Sequence, residues 1–334
     1  MFGQAWHTRS TMPVQEAITY GVRDDLMVAA MEDQDFIPIA PEVLPIREVT
    51  KNNGQLGKWG IGNFTQLVAE QEATRESGAP SRVLKTRVGE ITFTCKETAL
   101  KAPYDDKDRA EYESQFQMER VQTYALLKTA RLLREYQAKT LVFNTTTFSV
   151  GNSNYYDPTV AFDNASAKLR DYIKYALNKL YTNGGDPKTA KLAMNYNIFM
   201  TMLISESIVQ NLRGVVVPSA EVVEANSKML AMQLGVAGII VGGASYGTAE
   251  ENQTPALANI WPNTHVMLAN FGTGGNPAEA RLGATYVNTS DVGYEQIDVY
   301  RENDPPADWF RFRGSSGMQI DFPKRGVLIA TNVA

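Results

Sequence analysis

The sequence predicts an α+β fold, and three features predict it. A stretch over about 105–143 has neither Pro nor Gly and reads as one long helix. Ahead of it, over about 51–104, lie two strand-like arms around a polar tip. Behind it, over about 165–270, helical and strand patterns alternate before a last segment that is all strand.

The totals narrow the class. With 334 residues, 43% hydrophobic and 21% charged, the chain can bury a sizeable core. A formal charge of −5 lacks the concentrated basic surface of a sequence-reading nucleic-acid binder. The single cysteine, Cys95, excludes an internal disulfide framework and suits a reducing compartment. No apolar run reaches the roughly 18–20 residues that span a bilayer. The opening residues Met1–His7 carry neither a basic start nor an apolar run, so a soluble, intracellular product is expected.

In chain order, residues 1–50 read as an arm. A short amphipathic helix is expected over Pro13–Met31, with Val14, Ala17, Ile18 and Val22 on one side. Pro38, Pro41 and Pro45, spaced among Ile37, Ile39, Val43, Leu44 and Ile46, then describe an extended apolar strip that needs another surface to lie on. In the hairpin, Gly57, Gly60 and Gly62 mark the first arm and Glu70–Pro80 the tip. The second arm alternates Ile91, Phe93 and Cys95 against Glu90, Thr92, Thr94 and Lys96. Gly89 breaks the phase, as a bulge would.

The long helix would measure roughly 50 Å or more. Met118, Val121, Ala125, Leu132 and Tyr136 are expected on its buried stripe, beside Leu126 and Leu133. Arg109, Glu113, Arg120, Arg131 and Arg134 are expected on the outer ridge. Its apolar positions keep no strict 3.5-residue repeat, which argues against a coiled coil. After a polar loop, Asn164 is expected to cap a helix through Leu180 that stops at Gly184. A strand at Lys191–Asn195, helices over 197–212 and 219–234, and strands at Gly238–Gly242 and around His265 complete an α/β unit. The closing strands, with Phe310 and Phe312 alternating against Arg311 and Arg313, are expected to lie on the long helix.

Catalytic signatures fail one by one. Gly243-Ala244-Ser245-Tyr246-Gly247 fits the nucleophile-elbow spacing, but the polar stretch after it is no helix, and Glu250, Glu251 and His265 are badly placed as partners. Two histidines and one cysteine cannot build a zinc site of familiar spacing. Gly57, Gly60 and Gly62 do not make a dinucleotide fingerprint, and no phosphate-binding loop is present. Asp105, Asp106 and Asp108 complement the start of the long helix. No catalytic residue, cofactor or metal site is expected.

This order of parts resembles the major capsid proteins of tailed bacteriophages, with the Hong Kong-type phage capsid fold. The likeness covers nearly the whole chain. It rests on order together with three local runs: Gly78-Ala79-Pro80 before Thr92–Lys96, Met229–Gly235 leading through Gly238–Val241 to Ile260–Leu268, and the ending Gly326-Val327-Leu328-Ile329. The resemblance implies an N-terminal arm at 1–50, an extended loop at 51–104, a spine helix at 105–149, an axial domain at 150–280 and peripheral-domain strands at 281–334.

It further implies self-assembly into pentamers and hexamers of an icosahedral shell in the host cytoplasm. The shell would enclose double-stranded DNA, held without sequence preference, in the virion. A separate scaffolding protein, a portal and a decoration protein are the partners it suggests, with no membrane. An encapsulin-like nanocompartment is the alternative. Arg75, Glu76, Arg82, Trp59, Arg120 and Arg131 are the candidate intersubunit contacts.

Overall fold

Two sheets packed against one long helix carry the architecture. The structure is a computed structural model that describes residues 21–32, 37–59, 74–75, 77, 80–81, 83, 88–112, 118–205, 208, 222–248, 254, 256–272, 280–304 and 306–333.

The first sheet is built around a long strand, β14 (Pro306–Ile320). β5 (Lys96–Asp105) runs antiparallel along one flank of it, from Ser316↔Lys96 to Ala307↔Asp105. The other flank takes β13 (Gln296–Asn303) and then β12 (Gly283–Asn288), both antiparallel. Beyond these lie two pieces of the N-terminal arm, β1 (Gly21–Val22) on β13 and β2 (Ile46–Val49), parallel, on β12. The alternation seen in the sequence decides the faces: Phe310 and Phe312 are fully buried opposite Val299 and Ile297. Arg311 turns outward onto its cross-strand partner Asp298, and Arg313 Nε donates to Glu97 Oε1 at 2.7 Å.

Helix α4 (Met118–Val142) lies on the buried face of that sheet. A shorter α3 (Asp106–Tyr112) precedes it and follows directly on β5. Residues 113–117, which bear on whether the long helix is uninterrupted, lie outside the described residues. Leu126, Leu127 and Ala130 of α4 pack with Tyr104, Ile297, Val299, Phe310 and Phe312. Its far end, Ala138 and Val142, packs into a second cluster that also holds Ile39, Val43, Leu44, Trp261 and Met267.

That second cluster is one face of the other sheet, ordered β6 (Tyr155–Tyr156), β15 (Gly326–Ala330), β11 (His265–Ala269), β7 (Lys191–Asn195) and β8 (Gly238–Gly242). Its strands are apolar over most of their length because both faces are covered, the polar residues Lys191, Asn195 and His265 falling at strand ends. Leu192, Met194, Val266, Leu268, Val327 and Ile329 face α5 (Leu169–Thr182), α6 (Tyr196–Ile204) and α7 (Val222–Leu234). The residues between them, Ala193, Met267 and Leu328, face the α4 side. The two-residue period of a strand makes this division. Helix α5 ends in a Schellman motif. Gly184 takes φ 81°, and the N–H of Gly185 reaches the Leu180 carbonyl at 2.8 Å.

Several expectations change. The buried face of α4 is rotated from the expected stripe: Val121, Ala125 and Tyr136 are exposed, whereas Arg134 is buried and Glu135 is fully so. Adjacent leucine pairs allow either phase, and the buried pair of charges is held by partners distant in sequence. Val22 is in an exposed strand, and the helix of the arm, α1, begins only at Asp24 and runs to Glu32. Val14, Ala17 and Ile18 lie outside the described residues. The proline-spaced strip contains one short helix, α2 (Ala40–Val43), with Pro in its first turn; Ile39, Val43 and Leu44 are buried as expected of an arm needing a surface, whereas Ile37 and Ile46 are exposed.

Gly89 makes no bulge, since the hairpin pairs regularly through Lys58↔Gly89; the break comes at Cys95, between the returning limb Val88–Thr94 and β5. Asn164 does not cap α5. It closes a separate turn onto Ser166 N at 2.9 Å, and the helix starts five residues later. The last strand, β15, joins the second sheet between β6 and β11 instead of the first, and meets the end of α4 through Leu328 and Ala330.

Candidate assembly interface

The hairpin has little of its own sheet to lie on. β3 (Asn53–Trp59) and β4 (Val88–Thr94) form a two-stranded sheet, with no third strand among the described residues. A hairpin of that size is marginal alone, so its root is where stability must come from.

Four contacts hold the root. The Phe93 ring stacks on Tyr286 of β12 with centroids 5.3 Å apart and planes 16° off parallel. Phe93 and Cys95 are both buried there, as their alternation in the sequence predicts. Asn52 acts as a hub. Its Oδ1 accepts from Asn288 Nδ2 at 2.7 Å and Ser315 Oγ at 3.1 Å, and its carbonyl accepts from Cys95 N at 2.7 Å. The Lys58 ammonium lies 4.0 Å from the centre of the Phe322 ring and donates to the Asp321 carbonyl. Finally, Gly317 brings β14 against the hairpin backbone so closely that a Cβ there would sit 1.9 Å from the Thr94 carbonyl oxygen.

The electrostatics beneath the root are those of a dry site. Tyr286 Oη donates to the Asp321 carboxylate, 3.0 Å from Oδ1 and 3.1 Å from Oδ2. Burial pushes the Tyr286 hydroxyl well above its ordinary pKa, and the Asp321 charge adds to the effect. Burial also raises Asp321, opposed by hydrogen bonds from Gln319 and Tyr286 and by the charges of Arg281 and Lys58. Lys58 is lowered, again by burial, with the Asp321 charge working against it.

A second set of ties fixes the arm and α4 to the rest. Glu135 Oε1 accepts the Ala40 backbone N–H at 2.6 Å, and Oε2 accepts the Trp261 indole N–H at 2.7 Å. One carboxylate thus joins α4, the arm and the loop before β11. Near the other end, Arg301 makes a bidentate pair with Asp106, at 2.9 and 2.6 Å, and Arg109 pairs with the buried Asp308.

The predicted contact residues scatter. Arg75 is exposed beside the hairpin tip, while Glu76 and Arg82 lie outside the described residues. Trp59 ends β3, paired with Val88. Arg120 is half-buried on α4. Arg131 is engaged within its own chain: its Nη2 lies 2.8 Å from Glu295 Oε2, and Arg134 binds the same carboxylate. Sequence reasoning missed Asn52, Lys58, Tyr286, Asp321, Glu135 and Trp261. For Phe93 the alternation was a sufficient signal; for Asn52 and Glu135 no local pattern exists, because their partners are remote.

The elbow-like Gly243–Gly247 run is not a strand-to-helix turn. Ser245, Tyr246 and Gly247 form strand β9 (Ser245–Gly247), paired with β10 (Leu257–Asn259). Among the described residues no group of three or more His, Cys, Asp or Glu could hold a metal ion. No described helix is long and apolar enough to cross a membrane.

No protein-family model and no curated protein matches the chain. Among solved structures it is similar to a phage-related protein from Bordetella bronchiseptica, at 14% identity and a TM-score of 0.67, with 94% of this chain and 98% of that one covered. A looser likeness is to the mature capsid of bacteriophage PhiM1 (13% identity, TM-score 0.49, 90% and 89% covered). Another is to the SrpI encapsulin of Synechococcus elongatus (8%, 0.49, 91% and 94%). The fold is α+β, as expected from the sequence, and its likeness to the phage-related Bordetella protein extends over nearly the whole chain.

Proposed function

We propose that this chain is the major capsid protein of a tailed bacteriophage, a structural subunit that assembles into an icosahedral shell around double-stranded DNA. The observation that carries the reading is the hairpin β3–β4, secured at its root and without a third strand of its own among the described residues. Val88, on that hairpin, is 57% exposed, and Val22 and Ile37 of the arm are exposed as well. Apolar groups on projecting segments gain burial when copies of the chain surround one another. A strand edge offered to a neighbour adds main-chain hydrogen bonds. In a closed shell each later contact forms at high effective concentration, so modest contacts suffice.

Arg75, Glu76 and Arg82 at the hairpin tip are assigned here to ion pairs with neighbouring subunits, and Trp59 and Arg120 to contacts along the same borders. Arg131 contributes to this surface through the Glu295 pair that holds it in place.

Negative-stain imaging and sedimentation of the purified chain test the reading. Closed particles far larger than an enzyme oligomer are expected; a monomer at high concentration refutes it. Digestion of the particle contents with nuclease and with protease separates a DNA-filled head from an encapsulin-like compartment loaded with protein.

A further inference from the structure

Between α5 and the end of α7 lies a groove of about 600 Å³ that no element of the assembly reading uses. Lys168, Arg170 and Lys174 line it, against the one carboxylate of Asp171. All three cations are exposed, and none has an ion-pair partner among the described residues. In a chain of net charge −5 this is a local reversal of sign.

Their place on the helix sharpens the point. Lys168 occupies the N-cap position of α5 and Arg170 its first turn. Cations there oppose the helix dipole and cost the helix stability, a cost that an anion seated among them removes. The groove also has an apolar side, from Leu177 and the buried Leu234. Arg170, Lys174, Leu177 and Tyr181 follow the i, i+4, i+7, i+11 spacing of one helix face. Tyr181 is 69% exposed. The face therefore runs from charged to apolar and aromatic.

The apolar side separates the kinds of anion. A phosphodiester backbone carries no apolar side chain to set against Leu177, whereas an acidic peptide brings carboxylates and apolar side chains together.

We infer that this groove docks an acidic peptide segment of a partner protein, with Glu or Asp against Lys168, Arg170 and Lys174 and an apolar side chain against Leu177 and Tyr181. The surface does not depend on the shell reading. Charge complementarity selects the partner, and the apolar strip gives it more than a salt-screened encounter.

The test uses the full chain, a short fluorescein-labelled peptide of alternating Glu and Leu, a matching Lys and Leu peptide, and single-stranded oligo-dT, all read by fluorescence anisotropy. Saturable binding of the acidic peptide alone is expected, weakening as salt rises. Affinity should fall about tenfold or more in the Arg170→Glu/Lys174→Glu double variant. Lys174→Gln and Tyr181→Ala, both at exposed positions, should each weaken binding with an unchanged melting temperature. Peptide affinity unaltered in the double variant overturns the proposal, as does the absence of peptide binding. Tighter binding of oligo-dT, lost in the same variant, overturns it in favour of nucleic acid.

Discussion

Trp261 donates its indole N–H to Glu135 across 126 positions of sequence, at 2.7 Å and out of contact with water. The other oxygen of that carboxylate takes the Ala40 N–H. Three segments that share no local contact are thereby held to one side chain, at the point where the long helix passes from the first sheet to the second.

Removing that acceptor should be expensive. Glu135→Leu leaves two buried N–H donors without partners, and a loss of about 2–4 kcal/mol in unfolding free energy is expected. Glu135→Gln keeps the size but turns an amide N–H toward one donor, at about 1–3 kcal/mol. Urea unfolding of the dissociated subunit measures both; a change within experimental error for the leucine variant would show the carboxylate to be idle.

Glu135 also sets a pH dependence. Burial raises its pKa above 4.5, against the hydrogen bonds from Ala40, Trp261 and Ile39. The folded chain then holds this proton more tightly than the unfolded one. Its contribution to stability is fully present below 4.5 and declines as pH rises from there through the folded value. The stability difference between the native chain and Glu135→Gln should therefore shrink across that window. Melting curves at stepped pH follow it, and a difference that grows with pH contradicts the assignment.

Gly317 should tolerate no side chain. A Cβ would meet the Thr94 carbonyl at 1.9 Å, and backbone on both sides cannot yield as a flexible side chain would. Gly317→Ala should destabilise the subunit by about 1–3 kcal/mol and displace the hairpin root. Thermal melts together with protease sensitivity of the hairpin would register it.

Phe93→Ala removes the stack on Tyr286 and opens a void under the hairpin. A loss of about 3–5 kcal/mol is the range for a fully buried aromatic, and a small domain edge should fall at its lower end. If assembly depends on an anchored hairpin, particle yield should drop more than the folded fraction does, measured by sedimentation and circular dichroism on the same sample.

Deleting Gln66–Pro80 should leave a folded subunit that makes no closed particles. The reversal Arg75→Glu should lower particle yield without shifting the melting temperature, because Arg75 is exposed. Ordinary particles from the deletion would show the tip to be dispensable.

By itself, the sequence determined the local periods. The alternation of Phe310 and Phe312 with Arg311 and Arg313, the glycine stop after α5, and the doubly apolar strands at 191–195, 238–242 and 265–269 are all written within a few residues, because strand and helix repeats are local geometry. Tertiary structure alone decided which face of α4 is buried, where β15 goes, and that Glu135 is inside. A paired leucine fits two helix phases equally well, and a carboxylate can leave water only where donors such as Trp261 and Ala40 arrive from elsewhere in the chain. Those donors are set by packing, and no window along the sequence contains them.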